Sequence, residues 1–377
     1  TAQGNFQGIA PNANLVAVRA FQADGTGTYV DIIRGIEWIV QHKDTYNIRV
    51  LNMSFSATPR SHYWDDPINQ ATMAAWQAGI VVVASAGNTG PEAMTIGVPG
   101  NNPYVVTVGA MSDNYTPEDG SDDILASFSS AGPTFEGFVK PEVVAPGGHM
   151  LGWMPPHGSL SQGHPEFRHE DEEYFTMSGT SQSAAVVSGV AALLLQAEPW
   201  LTPDDVKCRL MASAKPAVDD NGQLAYSIFQ QGAGMVSAYD TVHGTATGCA
   251  NRGLDINLDI TGQRHYGGRA NMDADGNYYI MGLDGYLWTN GYLWTNGYLW
   301  TDGGLNTNGY LWTNGYLWTD GGVGTNGYLW TDGTVGANGY LWTNGYLWTD
   351  GGVGANGYLW TDRLTESASI NVWVDQE

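Results

Sequence analysis

The sequence predicts an α/β domain with a mainly parallel sheet and helices on both faces, followed by an all-β repeat appendage. Three observations carry that prediction. Short apolar runs alternate with helix-length amphipathic segments before residue 250, and parallel strands need crossover connections of that length. The stretch Met177–Leu195 runs from the turn Gly179-Thr180-Ser181 into a small-apolar segment, a core helix with a hydroxyl at its mouth. From Gly285 to Asp362 a six-residue period continues without a break for thirteen hexads, and an even period holds each residue type on one face of an extended chain.

Each element follows from local pattern. Leu15–Ala20 (LVAVRA) reads as a short strand, and the glycine-rich break Ala23–Thr28 precedes a helix over Tyr29–Lys43, whose Ile32, Ile33, Ile36, Ile39 and Val40 fall at spacings of three and four. Val50–Phe55 is a second strand. Asp66-Pro67 is an N-cap with a first-turn proline, opening a helix to about Ala78, and Ile80–Ala84 (IVVVA) and Tyr104–Val108 are further strands. Pro141–Gly148 reads as an irregular turn. Gly152–Tyr174 is a long polar loop holding His157, His164 and His169, without the tight spacing of a metal site. Thr202-Pro203 caps another helix to about Ala214, and Gly232–Tyr239 closes the domain.

These readings divide the chain into a domain over 1–250, a linker or short β segment over 251–284, the hexads over 285–362 and a C-terminal segment over 363–377. Asn271–Gly276 (NMDADG) resembles the start of a calcium loop, but Gly282 stands where the bidentate carboxylate belongs, so a plain turn is expected. Nine hexads read GYLWT followed by Asn or Asp, and four carry small residues in place of Tyr-Leu-Trp. A stacked solenoid with hexads as sides and an antiparallel meander both satisfy that pattern. Winding three hexads per coil gathers the four degenerate ones into two columns, which favours the solenoid.

Composition limits the partners. Of 377 residues 42% are hydrophobic, enough for a sizeable core, and 38 acidic against 14 basic residues give a formal charge of −24. That charge argues against nucleic acid and anionic membrane surfaces. No apolar run is expected to reach the length of a membrane span, because Ser188, Gly189 and Gln196 interrupt Ala184–Ala197. Cys208 and Cys249 form one disulfide or remain free thiols.

The ordered blocks across Gly8–Val242 carry a resemblance. They are GIAPNANLVAVRAFQADGTGTYVDIIRGIEWIV, VLNMSFS, VVVASAGNTG, IGVPGNNPYVVTVGA, FSSAGP, APGG, MSGTSQSAAVVSGVAALL with LTPDDVKCRLMASA, and QGAGMVSAYDTV. Together and in this order they resemble the subtilisin-like serine peptidases, the subtilases. Taken alone, Gly-Thr-Ser is an ordinary helix cap and Asn88 a turn residue. The resemblance implies that Ser181 is the nucleophile and that the Asn88 side-chain amide and the Ser181 backbone N–H bind the oxyanion. It also implies that a substrate peptide pairs as a strand between Gly25-Thr26-Gly27 and Ser54-Phe55-Ser56, and that Ala84-Ser85-Ala86-Gly87 walls a pocket roomy enough for large apolar side chains.

The departures are as informative. Subtilases place an Asp in a D-[ST]-G context and a His in H-G-T-H ahead of the serine, and neither motif precedes Ser181 here. Of eight histidines, His62 and His149 lie in the wrong places and His243, although followed by Gly244-Thr245, comes after the serine. Ala185 stands where the family has proline. The sequence is therefore expected to be the C-terminal portion of a secreted, extracellular endopeptidase, N-terminally truncated and inactive as given. Its substrates would be peptides or proteins, with no cofactor for catalysis and no metal ligands, since structural calcium is compatible with the family but no residue set places it. The alternative is a non-catalytic surface or assembly protein whose aromatic repeats self-associate or bind glycans.

Overall fold

The computed structural model describes residues 6–22, 25–116, 120, 122–170, 173–219, 223–273 and 276–280, and beyond them the backbone of short strands between Leu293 and Ile370. Two compact units result. One comprises Thr1–Gly268 with Leu364–Glu377, the other Arg269–Arg363.

The first unit is built on a sheet in the order β2 (Val50–Met53), β4 (Val81–Ser85), β5 (Val106–Ser112) and β6 (Ile124–Leu125), with β7 (Val143–Pro146) also paired to β5. The β2–β4, β4–β5 and β5–β7 pairs are parallel and β5–β6 is antiparallel. β4 and β5 are buried at every residue, as continuous apolar runs covered by helices should be. A separate small sheet joins β1 (Thr26–Thr28) and β3 (Phe55–Ser56) to a strand from the C-terminal segment, and β8 (Met150–Trp153) pairs antiparallel with β9 (Tyr174–Met177).

Helix ends follow their capping chemistry. α1 (Tyr29–Tyr46) starts where Thr28 Oγ1 accepts from the Asp31 N–H at 3.2 Å and stops at Asn47 in the left-handed region. In α2 (Pro67–Gln77), Asp66 Oδ1 accepts from the N–H groups of Ile68 and Asn69. After α3 (Ser159–Gly163) comes α4 (Thr180–Ala197), which packs along β2, β4, β5 and β7. α5 (Pro203–Ala212) opens with a capping box between Thr202 and Asp205, and α6 (Ile228–Gln231), α7 (Ala238–His243) and α8 (Ile256–Ile260) complete the unit.

Several sequence expectations change. Leu15–Ala20 is not a strand; Leu15, Val16 and Val18 are exposed, and among the described residues no strand pairs beside it to complete a ladder. Pro141–Gly148 is not an irregular turn, because Val143–Pro146 adds β7 alongside β5. The polar loop of 152–174 contains α3, a 3-10 turn over Pro165–Phe167 and parts of the β8–β9 pair. By length and composition, contrary to the sequence expectation, α4 is long and apolar enough to cross a membrane. Half of it is buried in the unit, as a core helix is. Cys208 and Cys249 are disulfide-bonded. The compact unit also continues past residue 250: the Asp259 carboxylate in α8 accepts from the hydroxyls of Tyr63 and Tyr104 at 2.6 and 2.9 Å.

In the second unit β10 (Ala270–Met272) and β11 (Tyr278–Ile280) pair antiparallel, and the Gly276 N–H donates to the Asp273 carbonyl oxygen between them at 3.1 Å; residues 274–275 of the expected 271–276 turn lie outside the described residues. The hexad strands then pair in parallel at an offset of three hexads. β12 (Leu293–Asn296), β15 (Leu311–Asn314), β18 (Leu329–Thr331) and β21 (Leu347–Thr349) form one ladder. A second joins β13 (Leu299–Thr301), β16 (Leu317–Thr319) and β19 (Val335–Ala337), and a third joins β14 (Leu305–Thr307), β17 (Val323–Thr325) and β20 (Leu341–Thr343). The expected hexads at 285–290 and 351–362 lie outside the described residues.

Candidate active site

Ser181 is the second residue of α4, where backbone N–H groups have no partner one turn earlier and the helix dipole favours negative charge. Gly179 immediately before the helix is required by close approach: a Cβ there would lie 2.8 Å from Gln182 Oε1 and 3.2 Å from Asn88 Nδ2. Asn88 is held by its own carbonyl oxygen, which accepts from the Thr180 N–H at 3.0 Å and from Thr180 Oγ1 at 2.8 Å. Thr180 Oγ1 in turn accepts from the Gly87 N–H at 3.2 Å. This clamp ties the turn after β4 to the mouth of α4 and sets the Asn88 amide nitrogen beside Gly179. Thr180 as the orienting residue was missed from sequence, although the turn Gly179-Thr180-Ser181 contained it.

The serine hydroxyl donates to the Ser54 carbonyl oxygen at 3.2 Å, and the Ser54 hydroxyl donates to the Ser181 carbonyl oxygen at 2.8 Å. A backbone carbonyl orients the nucleophile but has no basicity to accept its proton. Histidines are engaged elsewhere. His62 meets Glu136 Oε1 at 3.2 Å in the core, His265 meets Asp259 Oδ1 at 2.8 Å, and His149 stacks on Tyr115. Burial, reinforced by the charge of His265, holds His62 well below the usual imidazole range, while burial lifts Glu136 to about 7.

Segments 25–27 and 54–56 contribute β1 and β3, the two outer strands of the three-stranded sheet. Phe21 and Phe55 rings lie 5.1 Å apart next to them. Ala84 and Ser85 end β4, Ala86 follows fully buried, and the Ser85 hydroxyl donates to the Phe55 carbonyl at 3.2 Å. Gly87 has φ +112, and a Cβ there would come 2.9 Å from Ser130 Oγ. The structure thus gathers Ser181, Asn88, Ser54 and the end of β4 with Ala86 and Gly87 around the α4 mouth. Among the described residues, no three His, Cys, Asp or Glu side chains form a set that could hold a metal ion.

Comparison with known proteins identifies the family. The subtilase family model matches residues 1–234. Serine protease AprX of Bacillus subtilis (strain 168) is 39% identical over 249 residues, 65% of this chain and 54% of its own length. Subtilisin DY of Bacillus licheniformis is 34% identical over 209 residues, 55% of this chain and 63% of its own. Among solved structures, the patellamide maturation protease PatA aligns with a TM-score of 0.48 and 30% identity over 64% of this chain and 77% of that one. The chain spans 54% and 63% of the lengths of these two curated relatives. With a serine at the mouth of a core helix, a clamped asparagine beside it and a family match over more than half its residues, this chain belongs to the subtilase family.

Proposed function

We propose that this chain supplies the nucleophile, oxyanion donors and peptide channel of a secreted subtilisin-type serine endopeptidase, and that it does not complete a turnover without an Asp and His from outside its residues. The carrying observation is the Asn88–Thr180–Ser181 constellation at the start of α4. In the reaction, Ser181 Oγ would attack the scissile carbonyl carbon while a histidine takes its proton. The carbonyl oxygen becomes an oxyanion facing Asn88 Nδ2 and the Ser181 N–H. Collapse breaks the C–N bond, the amine leaves with the proton, and water then releases the acyl group from serine. The disulfide and the acidic charge support an extracellular site.

A fluorophosphonate probe tests this reading on the chain alone and on the chain co-folded with an upstream segment carrying the Asp and His motifs. Labelling is expected only in the second form and is abolished by Ser181→Ala. A folded second form that stays unlabelled refutes the enzyme and favours a non-catalytic surface protein. Small residues at Ala84, Ser85, Ala86 and Gly87 support cleavage after large apolar side chains. Cleavage-site profiling that finds cuts mainly after Lys or Arg would reject that specificity.

For the hexads, the parallel ladders with a three-hexad offset support a solenoid of three strands per coil, offering an aromatic platform for glycans or self-association. Quenching of repeat tryptophan fluorescence by cell-wall polysaccharides tests the first use. Sedimentation over a concentration series tests the second.

A further inference from the structure

The C-terminal segment follows the last hexad and carries neither repeat nor catalytic motif. Its residues Ser367–Ile370 nevertheless form a strand, β22, placed between β1 and β3. Pairing is antiparallel on both sides. Thr26, Gly27 and Thr28 oppose Ser369, Ala368 and Ser367, while Ser56 and Phe55 oppose Ser369 and Ile370. These walls are the segments that the proposed function assigns to substrate pairing, and the inference rests on that reading. Running from Ser367 to Ile370, β22 advances along β3 toward Ser54, whose carbonyl oxygen accepts from the Ser181 hydroxyl. The tail thus lies in the slot, and in the direction, of a peptide led toward the nucleophile.

We infer that residues 367–370 are a self-inhibitory strand, a cis ligand that fills the peptide channel and competes with substrate. A central strand must offer backbone donors to both neighbours, and residues 363–377 contain no proline. Ser367, Ala368 and Ser369 are small residues at the register positions opposite β1, which suits a slot built to pass many sequences. Because the strand belongs to the same chain, its capture is intramolecular and independent of protein concentration, an advantage that a free peptide lacks. An external peptide of micromolar affinity would then bind substantially more weakly than to a vacated channel. Ser369 is the position that pairs with both walls, so Ser369→Pro removes a donor at the centre of the sheet and expels the strand without altering either wall.

Hydrogen exchange on the full chain and anisotropy with a labelled synthetic peptide of residues 364–377 test the inference together. Amides of 367–370 should exchange at least tenfold more slowly than in the free peptide, equally at two protein concentrations tenfold apart. The labelled peptide should bind the Ser369→Pro chain at least tenfold more tightly than the unaltered one. If the amides exchange like the free peptide and both chains bind the probe equally well, the self-inhibitory strand is overturned while the peptide channel stands. If the amides are protected but neither chain binds the probe, the channel reading itself falls. Protection that disappears on dilution assigns the strand to a second copy and overturns the cis contact.

Discussion

Replacing Asp259 by Ala would remove the acceptor on which α8 is anchored to the core. Its Oδ2 accepts from Tyr63 and Tyr104, and its Oδ1 meets His265 Nδ1 at 2.8 Å. Tyr63 is fully buried and Tyr104 is 2% exposed, so neither hydroxyl can turn to water. Each stranded donor costs about 1–3 kcal/mol, giving about 2–6 kcal/mol for the pair. Relief of the cost of burying a carboxylate offsets part of this, which places the expected loss near 3 kcal/mol. In a unit of this size that is a fall of roughly 6–12 °C in the midpoint of the calorimetric transition of the full chain. Asp259→Asn keeps an oxygen for both tyrosines and should cost about 1 kcal/mol. The reasoning is refuted if Asp259→Ala melts within 2 °C of the parent, or if Asn is as damaging as Ala.

Three further outcomes are expected. Glu136, raised to about 7 by burial, is protonated in the fold at pH values where the unfolded chain has lost that proton, so its contribution falls as pH rises from about 4.5 to 7; His62, lowered by burial and by His265, stays neutral where the unfolded chain is charged, so its contribution falls as pH drops below 6.5. The two trends oppose each other in the parent. Urea titrations of Glu136→Gln should therefore expose the His62 trend, with stability lost on acidification from pH 6.5 to 5 at up to about 1.4 kcal/mol per unit; no increase in this loss relative to the parent would contradict the assignment. Glu142 lies between Lys140 and Lys207 at 2.7 and 2.8 Å, and although burial opposes its charge, the two ammonium groups hold its carboxyl below the usual range. Glu142→Gln removes the charge that supports the Lys140 ammonium, which burial already lowers to about 7, and strands these buried amines without their anion; it should cost about 3–5 kcal/mol by denaturant titration, whereas Lys215→Ala, at an exposed pair, should cost under about 1. The Cys208–Cys249 disulfide spans 41 positions, so the double Ala variant should lose about 4 kcal/mol, read as a lower urea midpoint.

Much of the site was legible because subtilase chemistry sits in short local patterns. The turn Gly179-Thr180-Ser181 ahead of small apolar residues fixes a hydroxyl at a helix mouth, and Asn88 follows directly on an apolar strand. Strand Val81–Ser85 and helix Pro67–Gln77 were readable because burial and capping are written in contiguous residues. The role of Thr180 was not readable, since its hydrogen bond to Asn88 joins residues 92 positions apart. Leu15–Ala20 failed for the complementary reason. Its apolar alternation satisfies a strand locally, but a strand exists only when a neighbour supplies the ladder.

By itself, then, the sequence determined the family, named Ser181 and Asn88 as site candidates, placed the starts of the helices at Tyr29, Pro67 and Pro203, and carried the six-residue period of the tail. Local periodicity and short motifs constrain the chain within a few residues, and those features need nothing more. Tertiary structure decided which distant groups meet: Thr180 with Asn88, Asp259 with two tyrosines, Cys208 with Cys249, and β22 with β1 and β3. Such pairings depend on where a chain returns after tens to hundreds of residues, and no local pattern in Ser367–Ile370 records the slot it fills.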